Sequence, residues 1–129
     1  MTENKYFLIN NMAKSWLQKY GTYEEVVVGS AAGIVALAGG GQVGATPLTK
    51  RFNQIDECAT DEDSTILDSF LTGKIQGVFN NTNNILAIYP VVGQIINNVA
   101  NYKFLLGPGD YVEFRSCASG KCRSSIPSL

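Results

Sequence analysis

The pattern of apolar and polar positions divides the chain into three textures. From about residue 3 to 20, Tyr6, Ile9, Met12, Ala13, Trp16, Leu17 and Tyr20 recur in steps of three and four, the period of one helix face. Thr2 is placed to cap this segment and Gly21 to end it. The spacing predicts an amphipathic helix within residues 1–21. A helix this short is marginal alone and needs a surface, either its own domain or a partner. Residues 22–47 differ. A strand-like run at 23–28 leads into small apolar residues at 29–38 and then the triplet Gly39-Gly40-Gly41. Small side chains permit close backbone approach, and the triplet marks a flexible turn or linker. This stretch is expected to be an extended Gly/Ala-rich arm.

From residue 48 onward the pattern shortens. Strand-length runs at 51–58, 64–67, 74–80, 85–89, 94–97, 102–106, 111–117 and 121–125 are separated by turn residues. These are Thr72-Gly73, the polar cluster at 80–84, Pro90, Gly93, Gly107-Pro108-Gly109-Asp110 and Ser119-Gly120. Ile75 alternates with Gln76, and Val112 and Phe114 alternate with Glu113 and Arg115, the period of a half-buried strand. The run at 85–89 is apolar on both faces, as in a central strand or one covered by a neighbouring subunit. No helix fits between these strands, which argues against a parallel α/β sheet. The pattern predicts a mainly β domain over residues 48–129. The expected architecture is a small antiparallel β-sandwich or barrel, jelly-roll-like, with an N-terminal helix and a Gly-rich arm.

Composition narrows the chemistry. The chain has 129 residues, enough to bury a core without a metal or disulfide. It contains no histidine, which removes Ser-His-Asp and Cys-His catalysis, HExxH zinc sites and Cys₂His₂ fingers. The net charge is −1, without the basic excess that nucleic-acid binding draws on. Six acids, Asp56, Glu57, Asp61, Glu62, Asp63 and Asp68, are bunched and read as a solvated strand-turn-strand edge. They lack the spacing and closing Glu of a calcium loop. The carboxylate pairs Asp110/Glu113 and Asp61/Asp68 fall in turns or on solvent-facing strand positions, so neither suggests glycoside hydrolysis. Ser119-Gly120-Lys121 and Thr72-Gly73-Lys74 lack phosphate-loop spacing. The expectation is a protein that is not an enzyme and needs no cofactor or metal.

The three cysteines allow at most one internal pair. Cys117 and Cys122 flank a hairpin-like segment, where a disulfide is geometrically possible; the alternative is that all three are free small side chains. The N-terminus carries no signal-peptide pattern, and the apolar stretch at 26–38 is shorter than the ~20 residues a spanning helix needs. No membrane partner is expected.

One distributed pattern stands out. It comprises Gly39-Gly40-Gly41-Gln42, Ala45-Thr46-Pro47-Leu48-Thr49, Phe52-Asn53-Gln54-Ile55, Cys58-Ala59-Thr60 and Asp63-Ser64. It continues through Gly73, Phe79-Asn80, the run from Asn83 to Pro90, Gly93, Ile95-Ile96-Asn97, the run from Leu105 to Gly109, and Val112-Glu113-Phe114. Over about residues 33–117 this resembles a small β-domain of virion proteins in tailed bacteriophages and some large DNA viruses. Asp68 stands where that pattern often has proline, the insertion-like acidic run at 61–63 is more acidic than usual for it, and the N-terminal helix lies outside it. The resemblance implies a structural virion protein: a minor capsid, cement or decoration subunit on the capsid surface, assembled in the host cytoplasm. Its partners would be the major capsid protein or other virion proteins, with itself as a homotrimer. Tyr6, Trp16, Tyr20, Val26, Val28, Ile34 and Leu37 are the interface candidates, because exposed aromatic and apolar residues on an arm suit docking on a neighbour. The alternative is a fibre or tail module that recognises a host surface glycan. That reading requires an exposed aromatic platform near residues 80–84 or 107–110.

Overall fold

A computed structural model of the chain describes residues 29–129. The predicted N-terminal helix, with Tyr6, Trp16 and Tyr20, lies outside the described residues, as do Val26 and Val28.

The described chain is mainly β, with eleven strands and no helix. β1 (Ser30–Val35), β3 (Phe52–Glu57) and β5 (Ile75–Asn80) belong to one sheet, here sheet A. β2 (Thr46–Pro47), β4 (Asp63–Ile66) and β6 (Leu86–Tyr89) belong to the second, sheet B. The chain thus alternates between sheets, and each pass lays a strand parallel to the one before it: Ser30 beside Phe52, Phe52 beside Gly77, Asp63 beside Leu86. This is a β-solenoid of three coils, not the expected antiparallel sandwich or barrel. Parallel pairing usually needs a helical crossover. Here the strand in the opposite sheet serves as the crossover, so the absence of helices did not exclude parallel strands.

Antiparallel strands close the last coil. β9 (Phe104–Leu106) pairs with β6, and β10 (Tyr111–Ala118) pairs with β5. β11 (Lys121–Ser124), β7 (Ile95–Ile96) and β8 (Val99–Ala100) extend sheet A beyond β10. At the other end, β1 and β2 are the terminal strands of their sheets.

The core lies between the two sheets. Ile55, Val78, Val112 and Phe114 from sheet A meet Leu86, Ile88, Phe104 and Leu106 from sheet B. The rings of Phe104 and Phe114 pack edge to face across it, with centroids 5.2 Å apart. Several buried positions are polar, and they hold the corners between strands. The Asn80 amide donates to the carbonyls of Asn84, Leu106 and Gly107, and its oxygen accepts from the Thr82 backbone and hydroxyl. Asn53 donates to the carbonyls of Lys50 and Gly77. Gln76 donates to those of Leu48 and Lys50 and accepts from the Asp68 N–H. Each side chain satisfies backbone groups that a tight corner leaves without a ladder partner.

The segment expected to be an arm is, from residue 30, part of the fold. β1 pairs with β3, and Ile34 packs on the core. Leu37 forms a two-way backbone bridge with Ser64. The glycine triplet is a docked strap, not a linker. Gly39 N–H donates to the Asp63 carboxylate, the Ser64 hydroxyl donates to Gly41 O, and Gln42 reaches Pro90 O. A Cβ on Gly40, whose φ is +73°, would collide with the Glu62 carbonyl. The strap explains why Ser64 and Ala87, register partners on the side of sheet B that faces away from the core, are fully buried. The apolar outer face of β6 is therefore covered by the chain itself.

Candidate binding face

The outer face of sheet A carries a patch of aromatic and charged side chains. Strand alternation points Phe52, Gln54 and Asp56 of β3, Ile75, Gly77 and Phe79 of β5, and Tyr111, Glu113 and Arg115 of β10 to this side. Register aligns them in rows. Phe52, Gly77 and Glu113 form one, Gln54, Phe79 and Tyr111 the next. On the other side of the first row, Ile75, Arg115 and Arg123 form a third.

Gly77 is the centre of the patch. A Cβ there would overlap the Tyr111 phenol oxygen and come within 3.0 Å of its Cζ and 3.1 Å of Phe52 Cδ1. The missing side chain lets the Tyr111 and Phe52 rings converge over the backbone. Both remain open to solvent, Phe52 at 41% and Tyr111 at 40% exposure. The Tyr111 hydroxyl donates to Glu113 at 3.0 Å, and Arg115 bridges the other oxygen of that carboxylate at 3.3 Å. Partial burial, with the hydrogen bond to Glu113 and its negative charge, pushes the Tyr111 phenol up to about 12. The Arg51 guanidinium stands over the Phe52 ring, 5.5 Å from its centroid. Next to the patch, Asp56 accepts from Asn81, Gln54 and the Gly33 N–H, which hold its carboxyl below the ordinary range.

The other predicted positions lie elsewhere. Asp61 and Asp68 are separated by the whole of β4: Asp61 accepts from the Ile85 N–H, and Asp68 pairs with Lys74 at 2.8 Å. Asp110 sits in the turn before β10, while Glu113 is bound to Tyr111 and Arg115. Asp63, read as part of a solvated edge, is 1% exposed. Burial works to raise its pKa, but hydrogen bonds from Thr60, Gly39 and Ala59 outweigh that and lower it. All three cysteines are free. The residue opposite Cys122 is Ser116, and Cys117 falls in the bulge beside it, so the expected hairpin does not place the two thiols in register. Cys117 is exposed and Cys122 buried, with burial pushing the Cys122 thiol up to about 12. Of the interface candidates in the described chain, Ile34 and Leu37 are half-buried in the domain itself.

Among the described residues no group of three or more metal-ligating side chains converges, and no helix is long and apolar enough to cross a membrane. Sequence reading gave Phe52, Phe79 and Tyr111 no role. They lie far apart along the chain, and only the pairing of β3, β5 and β10 makes them neighbours. No family model and no curated protein matches the chain.

Proposed function

We propose that the chain is a structural virion protein that works by attachment, without turnover. It would serve as a minor capsid, cement or decoration subunit bound to the capsid shell, and as a homo-oligomer, most simply a trimer. The observation that carries this reading is the open first coil. No strand pairs with the outer edge of β1 among the described residues, and the N-terminal segment enters the domain at that strand. Among the described residues, that edge presents backbone donors and acceptors in register for a strand from another subunit. Val35 adds an apolar contact there, at 51% exposure. Co-sedimentation of the purified chain with empty shells tests this. Saturable binding that is lost in Ala32→Lys, which puts a charge on the exposed edge of β1, supports it. Binding unaffected by that change overturns it.

A second reading, a fibre or tail module for a host surface glycan, is favoured by the Phe52–Tyr111 patch. That patch stands where this reading requires an aromatic platform: Phe79 immediately precedes residues 80–84, and Tyr111 immediately follows 107–110. Aromatic faces take the apolar side of a sugar ring, while carboxylate and guanidinium groups bind its hydroxyls.

A further inference from the structure

The chain has only three arginines, Arg51, Arg115 and Arg123, and all three border the aromatic patch on sheet A. The overall net charge is −1, so this grouping is not a general basic excess. Arg115 and Arg123 stand directly opposite each other across β10 and β11. Like charges in register destabilise a sheet, and Glu113 offsets Arg115 alone, from a distance of 3.3 Å. Arg51 and Arg123 form no ion pair among the described residues. Lys121, one row beyond Arg123 on the same exposed face, adds to the positive side.

We propose that this face binds an acidic saccharide, one whose rings carry carboxylate or sulfate groups; the proposal rests on the glycan reading above and specifies its ligand. The Phe52 and Tyr111 rings supply the stacking surface, held in place by the space at Gly77 and by the Glu113 hydrogen bond. The Arg115–Arg123 pair supplies planar, fork-shaped donors that match a carboxylate or sulfate, and an anion placed between them relieves their repulsion. Glu113 and Gln54 supply the complementary acceptors. A sugar ring has hydroxyl donors for them, whereas a phosphodiester group has none. Saccharide therefore fits the mixed polarity of the face better than nucleic acid does.

The test uses the full chain and isothermal titration with four probes. These are a heparin-derived oligosaccharide, an oligogalacturonate, a neutral oligosaccharide of the same length, and a single-stranded oligonucleotide. Binding of either acidic saccharide, weakened by salt and reduced about tenfold or more in Arg123→Gln, is the expected result. Tyr111→Ala should also abolish binding, while Lys103→Gln, remote from the face, should leave it unchanged. Equal affinity for the neutral oligosaccharide overturns the acidic specificity and leaves the glycan reading standing. Binding of no saccharide overturns both. Tighter binding of the oligonucleotide also overturns the proposal.

Discussion

Gly77→Ala is the sharpest probe of how the aromatic face of sheet A is built. The added methyl overlaps the Tyr111 phenol oxygen and lies 3.0 Å from Cζ, so the ring must withdraw by roughly 1–1.5 Å to regain ordinary contact. Phe52 needs only a few tenths of an ångström at Cδ1. The phenol is the end of a mobile side chain at 40% exposure, so it swings outward and the β5 backbone stays in place. That movement breaks the 3.0 Å hydrogen bond to Glu113. In this half-exposed setting the bond contributes about 1 kcal/mol, with some ring packing lost besides. Replacing a strand glycine returns about 0.5–1 kcal/mol. The two nearly cancel, so the melting temperature should move little. The informative readout is the phenol. Its elevation to about 12 comes from burial and from Glu113, and the variant loses the Glu113 bond and part of the burial, so Tyr111 should ionise clearly lower. Titration followed by NMR on ring-labelled tyrosine resolves this group from the other five. A variant that stays folded with Tyr111 still ionising near 12 refutes the packing argument. So does a variant that unfolds, because the clash would then fall on the backbone.

Three further outcomes follow from the fold. Asn80→Ala strips partners from three carbonyls at one corner, two of them buried, and should lower stability by about 2–4 kcal/mol in urea unfolding; a loss below about 1 kcal/mol contradicts the corner role. Asp63 has a carboxyl held below its ordinary value of 3.8, so its contribution is fully present above that pH and is lost as pH falls through the folded-state value. The stability advantage of the native chain over Asp63→Asn should accordingly be constant near neutrality and shrink below about pH 4, as measured by denaturant midpoints across pH. Finally, maleimide labelling of the folded protein should modify Cys117 alone, with Cys58 and Cys122 reacting after denaturation; peptide mapping that finds Cys117 bridged to Cys122 contradicts the observed register.

The strands were legible in the sequence, but their partners were not. Turn residues and alternation located β3 to β7 and β9 to β11 to within a residue or two. β1 was missed because Ser30-Ala31-Ala32-Gly33 carries none of the bulky β-branched pattern of a strand. Parallel stacking was invisible because it depends on strands alternating between two sheets, and the coils share burial positions, not residue identities. Polarity also misled at the corners. Gln76 is buried at 2% exposure while Ile75 beside it is half-exposed, the reverse of the usual sense, because Gln76 serves the backbone of the neighbouring coil. The same holds for Asn53, Asp63 and Asn80. The aromatic and charged face of sheet A was hidden for a different reason: Arg51 and Arg123 come onto one face only through the pairing of β3, β5, β10 and β11.

Attachment through the open first coil is tested most directly by hydrogen–deuterium exchange of the full chain, free and bound to empty capsid shells. Backbone amides of β1 that point away from β3 should become more strongly protected in the bound state, because a strand added there takes up donors that have no partner among the described residues. Unchanged exchange across β1 in a chain that is demonstrably bound contradicts attachment at this edge.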